Sequence, residues 1–279
     1  MTSTAAGAPP DVLVEDVPRL SLVQAAASYA ATVGAIAAAE LQRVRREPSA
    51  LVTRAAQPLL WLLVFGSALS RARNLTPGGI PYQAFIVPGV LAQSVLFIAI
   101  FSGLSIIWER DLGITQRLLV APVARSAIIL GKSVGAGMRA LVQVAVVLVA
   151  VALVRIHLHW SPLRVVGTLA TTVVGAILLS AVSMVIASAV RSREQFMGIG
   201  QLITLPLFFA SNALYQVSLM PGWLQAAARA NPLTYEVEAM RRLLLDVGPN
   251  RIAVDLAVLV AGAALAVAVA SRLYPRRVM

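Results

Sequence analysis

Six long apolar runs, nearly free of charge, constrain this chain more than anything else in it; they lie near residues 55–70, 82–107, 133–154, 165–190, 196–217 and 252–271. About twenty apolar residues suffice for a helix to cross a hydrocarbon core of about 30 Å. A backbone inside lipid must satisfy its own hydrogen bonds, so runs of this length are expected to be transmembrane helices. The expected fold is all-α, a polytopic membrane protein with six spans. The first run, between Arg54 and Arg71, holds sixteen residues. That is about 24 Å of helix, so Arg54 is expected to snorkel towards the headgroups. Pro58 falls in its first turn, and Pro206 interrupts the fifth run.

Charge supports the same class. Charged residues make up 13% of the chain, against about 25% in soluble proteins, which excludes a soluble enzyme or a nucleic-acid-binding domain as the whole molecule. Lys and Arg number 23 against 12 acids, a net +11. With the N-terminus inside, fifteen of the 23 cations fall on the cytoplasmic side, so the positive-inside bias places both termini in the cytoplasm. The absence of cysteine excludes disulfides and thiolate chemistry.

The chain divides into a loose cytoplasmic tail over 1–20, a segment over 21–54, a transmembrane domain over 55–271 and a short cytoplasmic tail over 272–279. Ser21 to Arg46 is small and apolar first and basic at its end, which predicts a helix on the membrane surface; a short extra span is the other reading. Two connections exceed a simple turn. Trp108 to Lys132 is cytoplasmic on this topology, and Ser218 to Asn250 is external. In the external one, Pro221-Gly222-Trp223-Leu224 opens a short helix. After Asn231-Pro232, the run from Tyr235 to Leu245 has helical spacing and ends in Arg241-Arg242 and apolar residues. It either dips into the outer interface or lies on the surface.

Little catalytic chemistry is expected. Gly131-Lys132-Ser133 imitates the end of a phosphate-binding loop, but Ser126 stands where its first glycine belongs and an apolar helix start fills the gap. No ATP site, cofactor site or metal site is expected in this chain. His157 and His159 read as solvated loop residues. The acids read as peripheral: Glu109, Asp111 and Glu194 inside, Glu236, Glu238 and Asp246 outside, and Asp255 one turn into the last span. An ion-coupled carrier keeps carboxylates within its spans, so their scarcity argues against that class, and no nucleophile–base pair suits a membrane transferase or hydrolase. Arg139 is the one cation well inside a run; it snorkels, or lines a cavity with Gln143 one turn away. The segment Trp108-Glu109-Arg110-Asp111-Leu112-Gly113 through Arg117-Leu118-Leu119 mixes charge with apolar residues. It is either an amphipathic helix that takes force from a soluble partner or an ordinary charged loop.

Four blocks carry a resemblance. They are Gln57-Pro58-Leu59-Leu60-Trp61 through Gly66; Tyr82-Gln83-Ala84-Phe85 through Pro88-Gly89; Glu109 through Leu119 with Ala121-Pro122 and Gly131-Lys132; and Met220-Pro221-Gly222-Trp223 with Asn231-Pro232-Leu233-Thr234-Tyr235 and Arg241. In this order they resemble the ABC-2-type transporter permeases, particularly the branch similar to daunorubicin- and doxorubicin-resistance exporters. The likeness runs from about Glu40 to the end of the sixth run. It implies a permease that is not itself an enzyme, dimerises alone or with a homologous partner, and docks a pair of separate ABC ATPase subunits, which bind the ATP and magnesium. Glu109, Arg110, Asp111, Leu112, Gly113 and Arg117 would form the ATPase-coupling contact. Pro221, Trp223, Asn231, Pro232, Tyr235 and Arg241 would form an outer re-entrant hairpin. Arg43-Val44-Arg45-Arg46-Glu47-Pro48 departs from the aromatic-rich pattern of the glycan-exporting branch, so lipophilic or amphiphilic cargo is expected over a glycan. Gln216 replaces a proline common in the family. A bacterial inner membrane, membrane lipids as neighbours and no nucleic-acid partner complete the expectation.

Overall fold

The structure, a computed structural model, describes residues 21–46, 48–70, 76–113, 124–248 and 250–273. Among the described residues there are nine α-helices and no strand. They are α1 (Leu22–Arg46), α2 (Pro48–Ala68), α3 (Tyr82–Asp111), α4 (Arg125–Leu153), α5 (Pro162–Ala189), α6 (Arg193–Phe209), α7 (Gly222–Ala230), α8 (Pro232–Leu245) and α9 (Ile252–Leu273). Four of them, α3, α4, α5 and α9, are long and apolar enough to cross a membrane.

The helix ends follow local chemistry. Pro81 and Ser161-Pro162 start α3 and α5 with proline at or beside the first turn, where the missing N–H costs nothing. Ser192 caps α6, its hydroxyl accepting from the Gln195 N–H at 3.2 Å. Beyond Leu112, the left-handed Gly113 (φ 70°) closes the end of α3, and its N–H donates to the Arg110 carbonyl at 3.0 Å.

Helix α3 is the hub, with Phe85, Ile86, Val87, Leu91, Ala92 and Val95 fully enclosed. It packs most extensively on α5. The close approach is set where Gly103 stands: a Cβ there would lie 2.3 Å from Ser183 Oγ and 2.6 Å from Phe196 Cζ. Small residues let helices associate in lipid, where apolar side chains gain little by leaving an equally apolar solvent.

Three sequence expectations change. The helix expected at the N-terminus forms as α1, but the bundle holds one face of it: Val33 and Ile36 lie against Gly131, and Ala37 and Glu40 against Gly135. Over these residues it runs lengthwise and in the same direction along α4. The separate cytoplasmic helix expected from Trp108 onwards is not separate at its start, since Trp108 to Asp111 are the last turn of α3; residues 114–123, with Arg117, lie outside the described residues. The fifth apolar run was expected to reach Val217, yet α6 stops at Phe209, three residues after Pro206. The chain there gives up helix because its polar Ser211 and Asn212 turn inward, Asn212 meeting Glu238 and Arg241 of α8.

That early stop positions the second half of the molecule. Gly200 of α6 faces Ile100 of α3, and Ala213, just beyond the end of α6, lies against Gly89, so α6 ends level with the N-terminal third of α3. Asn231 then joins two helix ends: its Nδ2 donates to the Leu207 carbonyl at 2.6 Å, and its Oδ1 accepts from the Leu233 N–H at 3.0 Å. One side chain thus satisfies an orphan carbonyl of α6 and an orphan amide of α8. From there α8 runs back along α5, with Glu236 at Gly175 and Leu243 at Gly167.

Candidate functional site

The C-terminal end of α3 is tied to its neighbours by a clasp of charged groups. Lys132 Nζ lies 2.6 and 2.5 Å from the two carboxylate oxygens of Glu109, and both side chains are buried. Arg110 donates to the carbonyls of Val190 and Arg191 at 3.1 and 2.9 Å. Asp111 accepts from Arg193 Nε at 2.9 Å, and the same guanidinium lies 5.7 Å from the Trp108 ring centroid. Three consecutive residues of α3 therefore grip α4, the α5–α6 connection and the first turn of α6.

This geometry sorts the predicted coupling residues. Glu109 is only 7% exposed and faces Lys132, so it presents no charge to a soluble partner; Lys132 is its counter-ion. Trp108, Asp111 and Leu112 are exposed, Leu112 at 71%. Gly131, Lys132 and Ser133 are buried within α4, where their backbone N–H groups bond within the helix and wrap no phosphate.

One helical turn or more deeper, a second polar contact joins α1, α3 and α4. Arg139 pairs with Glu40 and donates to Ser102 Oγ at 3.1 Å. Snorkelling is not needed, because α1 supplies the counter-charge. Gln143 is buried with both side-chain polar atoms unmatched, so it and Arg139 do not share a contact. Arg54 lies 5.1 Å from the Phe101 ring centroid.

The segment expected to be external holds the main correction. Glu236, expected to be peripheral, is completely buried, and its carboxylate rests on Gly175, near the middle of α5, with neither oxygen hydrogen-bonded. The pattern of α8 gave no sign of this, because Glu236 and Glu238 look alike in sequence. Yet Glu238 finds Asn212 Nδ2 at 3.1 Å. Arg241, 3% exposed, donates to the Asn212 carbonyl and lies 4.0 Å over the Phe85 ring. The reading of a helix on the surface is excluded by α8's burial against α3, α5 and α9.

The other predicted outer residues are placed less deeply. Pro221 precedes α7, on which Trp223 is 74% exposed. Pro232 opens α8, and the Tyr235 hydroxyl donates to the Arg229 carbonyl at 2.7 Å. Since α7 and α8 touch little, they form a bend at Asn231 and not a packed hairpin. His157 and His159 are exposed, as expected, and the His159 backbone N–H donates to the Leu244 carbonyl at 2.8 Å. Among the described residues no cluster of His, Asp and Glu suits a metal ion.

Between α3, α5 and α6 runs an apolar groove walled by Leu96, Ile100, Val182, Ile186, Ile203 and Leu207. It carries no charged side chain. The arrangement as a whole can transmit movement from the α3 end into three helices and can accommodate apolar matter beside them.

Comparison with known proteins agrees on one family. The profile described as ABC-2 type transporter matches residues 32–245. A transport permease designated ycf38 from Pyropia yezoensis is 31% identical over 216 residues, covering 75% of this chain and 72% of that protein. A daunorubicin resistance ABC transporter permease protein from Streptomyces coeruleorubidus is 26% identical over 201 residues, covering 71% and 69%. The inner membrane transport permease YadH of Escherichia coli strain K12 is 26% identical over 209 residues, covering 72% and 77%.

Proposed function

The chain belongs to the ABC-2 type transporter family, and from that premise we propose that it is the permease subunit of an exporter driven by a separate ABC ATPase pair. Its cargo is lipophilic or amphiphilic, of the antibiotic, drug or lipid kind. It works as a homodimer or beside a homologous permease, in a bacterial inner membrane, with both termini cytoplasmic and six crossings. In that topology α2 provides the first crossing, and α6 with α8 the broken fifth.

The observation that carries this reading is the clasp at the end of α3. Trp108, Asp111 and Leu112 offer an exposed edge, with Arg117 next along the chain, on which an ATPase docks. Behind that edge Glu109 and Arg110 are fixed to α4 and to the α5–α6 connection. A push on the edge, when ATP closes the ATPase pair, therefore moves helices and does not dissipate in a loose loop. The similarity to a daunorubicin resistance permease supports an apolar cargo.

The test reverses charge at the exposed part of the clasp. Asp111→Arg in the full chain, co-expressed with its ATPase, should insert normally and lose most ATP-driven efflux, with weaker ATPase co-purification. Arg193→Asp added to it should restore part of both. Unchanged efflux and unchanged co-purification in Asp111→Arg would remove the docking assignment.

Glu236 favours a second reading, an ion-coupled carrier, because a buried carboxyl at mid-bundle is where such proteins hold a proton. Vesicles holding the permease without an ATPase separate the two. Transport driven by a pH gradient alone selects the carrier, and transport only with ATPase and ATP selects the exporter.

A further inference from the structure

The exposed sides of the long helices differ in kind. On α9 every exposed side chain from Ala253 to Val269 is alanine, valine or leucine, and the same holds for α4 from Ala145 to Leu153. Such faces suit lipid, which offers no hydrogen-bond partner. Helices α2 and α6 break the pattern. Gln57 of α2 and Gln201 of α6 are exposed among apolar neighbours, Leu60 and Val64 on one helix and Leu202 and Leu205 on the other. Neither glutamine makes a side-chain hydrogen bond among the described residues.

The two amides belong to one surface. The Trp61 ring of α2 meets Phe208 of α6 edge-on, with centroids 5.9 Å apart, so the helices lie side by side. Both run antiparallel to α3. Gly66 of α2 lies against Gln83 and Arg54 over Phe101, while Ala213 beyond α6 lies against Gly89 and Gly200 against Ile100. Gln57 is one turn from Arg54 and Gln201 is next to Gly200, so both stand level with the middle of α3, about 15 Å or more from either of its ends. In the six-crossing topology, on whose correctness this inference rests, that level is hydrocarbon. An amide facing lipid there forfeits two donors and an acceptor at high cost, so lipid is the wrong neighbour.

We propose that the joined face of α2 and α6 binds a second copy of this chain, the Gln57 and Gln201 amides of each copy bonding to those of the other. A two-fold axis along the membrane normal keeps every helix at its own height and direction. It therefore brings α2 and α6 of the second copy to this face with their glutamines at the matching level. A carboxamide both donates and accepts, so like meets like, and the leucines and valines around it close the contact. Arg54, the charge nearest to this layer on α2, is turned onto Phe101 of its own chain. The faces of α4 and α9 carry no such groups and stay with lipid.

The sequence has no cysteine, so single cysteines report proximity without background. The full chain is expressed alone in membranes and oxidised with copper phenanthroline, which takes up the two electrons released as two thiols join. Gln57→Cys and Gln201→Cys should each give a covalent dimer, about tenfold more than Val260→Cys on the apolar face of α9. In detergent, sedimentation equilibrium should show a dimer whose dissociation constant rises about tenfold in the double variant Gln57→Leu with Gln201→Leu. Gln57→Asn with Gln201→Asn should keep most of the affinity. Because both sites are exposed, the melting temperature of the monomer should not fall in either double variant. A chain that stays monomeric, cross-linking no greater than at Val260→Cys, or a leucine variant that dimerises as well as the parent overturns the proposal. No ATPase or cargo enters these measurements. A monomer would thus leave the exporter reading standing, with an unlike permease as partner, whereas transport driven by a pH gradient alone would remove that reading and leave the dimer.

Discussion

Lys132 closes on both carboxylate oxygens of Glu109, and neither side chain is more than a tenth exposed. Two charges taken out of water repay their desolvation only when both are present. Removal of one partner should therefore be far worse than removal of both. Lys132→Met alone and Glu109→Gln alone should each destabilise the protein by about 3–5 kcal/mol. The double variant should fall well short of the sum of the two. Unfolding in mixed micelles titrated with sodium dodecyl sulfate reads all three, and simple additivity would show that the pair does not act as a unit.

Glu236 and Gly175 are matched by volume. A Cβ at position 175 would sit 2.4 Å from Glu236 Cδ and 2.5 Å from each carboxylate oxygen. Gly175→Ala, normally a gain inside a helix, should here destabilise by about 1–3 kcal/mol through overpacking. Combining it with Glu236→Ala should relieve most of that penalty. Thermal unfolding of the two variants decides the matter, and a neutral Gly175→Ala would mean that α8 is not seated against α5.

Where the sequence succeeded and where it failed follow from the range of the physics involved. The four membrane-capable helices, the start of α1 and the N-terminus of α8 at Asn231-Pro232 rest on local apolarity and capping, which are written in adjacent residues. The blocks that carry the family resemblance are likewise contiguous. What could not be read was pairing across distance. Glu40 and Arg139 stand 99 residues apart, and Lys132 and Glu109 stand 23 apart, so none of the four showed its partner in the sequence and Arg139 read as a lone cation inside an apolar run. Glu236 was the reverse case: amid polar neighbours it looked solvated, and only the seating of α8 on Gly175 shows it buried. The early end of α6 belongs here too, since Pro206 is tolerated within it and the chain departs for partners on α8.

Asn231 should behave as a joint between two helices and not as a simple cap. Asn231→Asp keeps an oxygen for the Leu233 N–H and loses the donor to the Leu207 carbonyl; Asn231→Ala loses both. A cap substitution typically costs about 1 kcal/mol, and a stranded buried carbonyl about 1–3 kcal/mol more. Asn231→Ala should therefore cost about 2–4 kcal/mol. Amide exchange should rise at both the last turn of α6 and the first turn of α8. Exchange confined to α8 would reduce Asn231 to an ordinary N-cap.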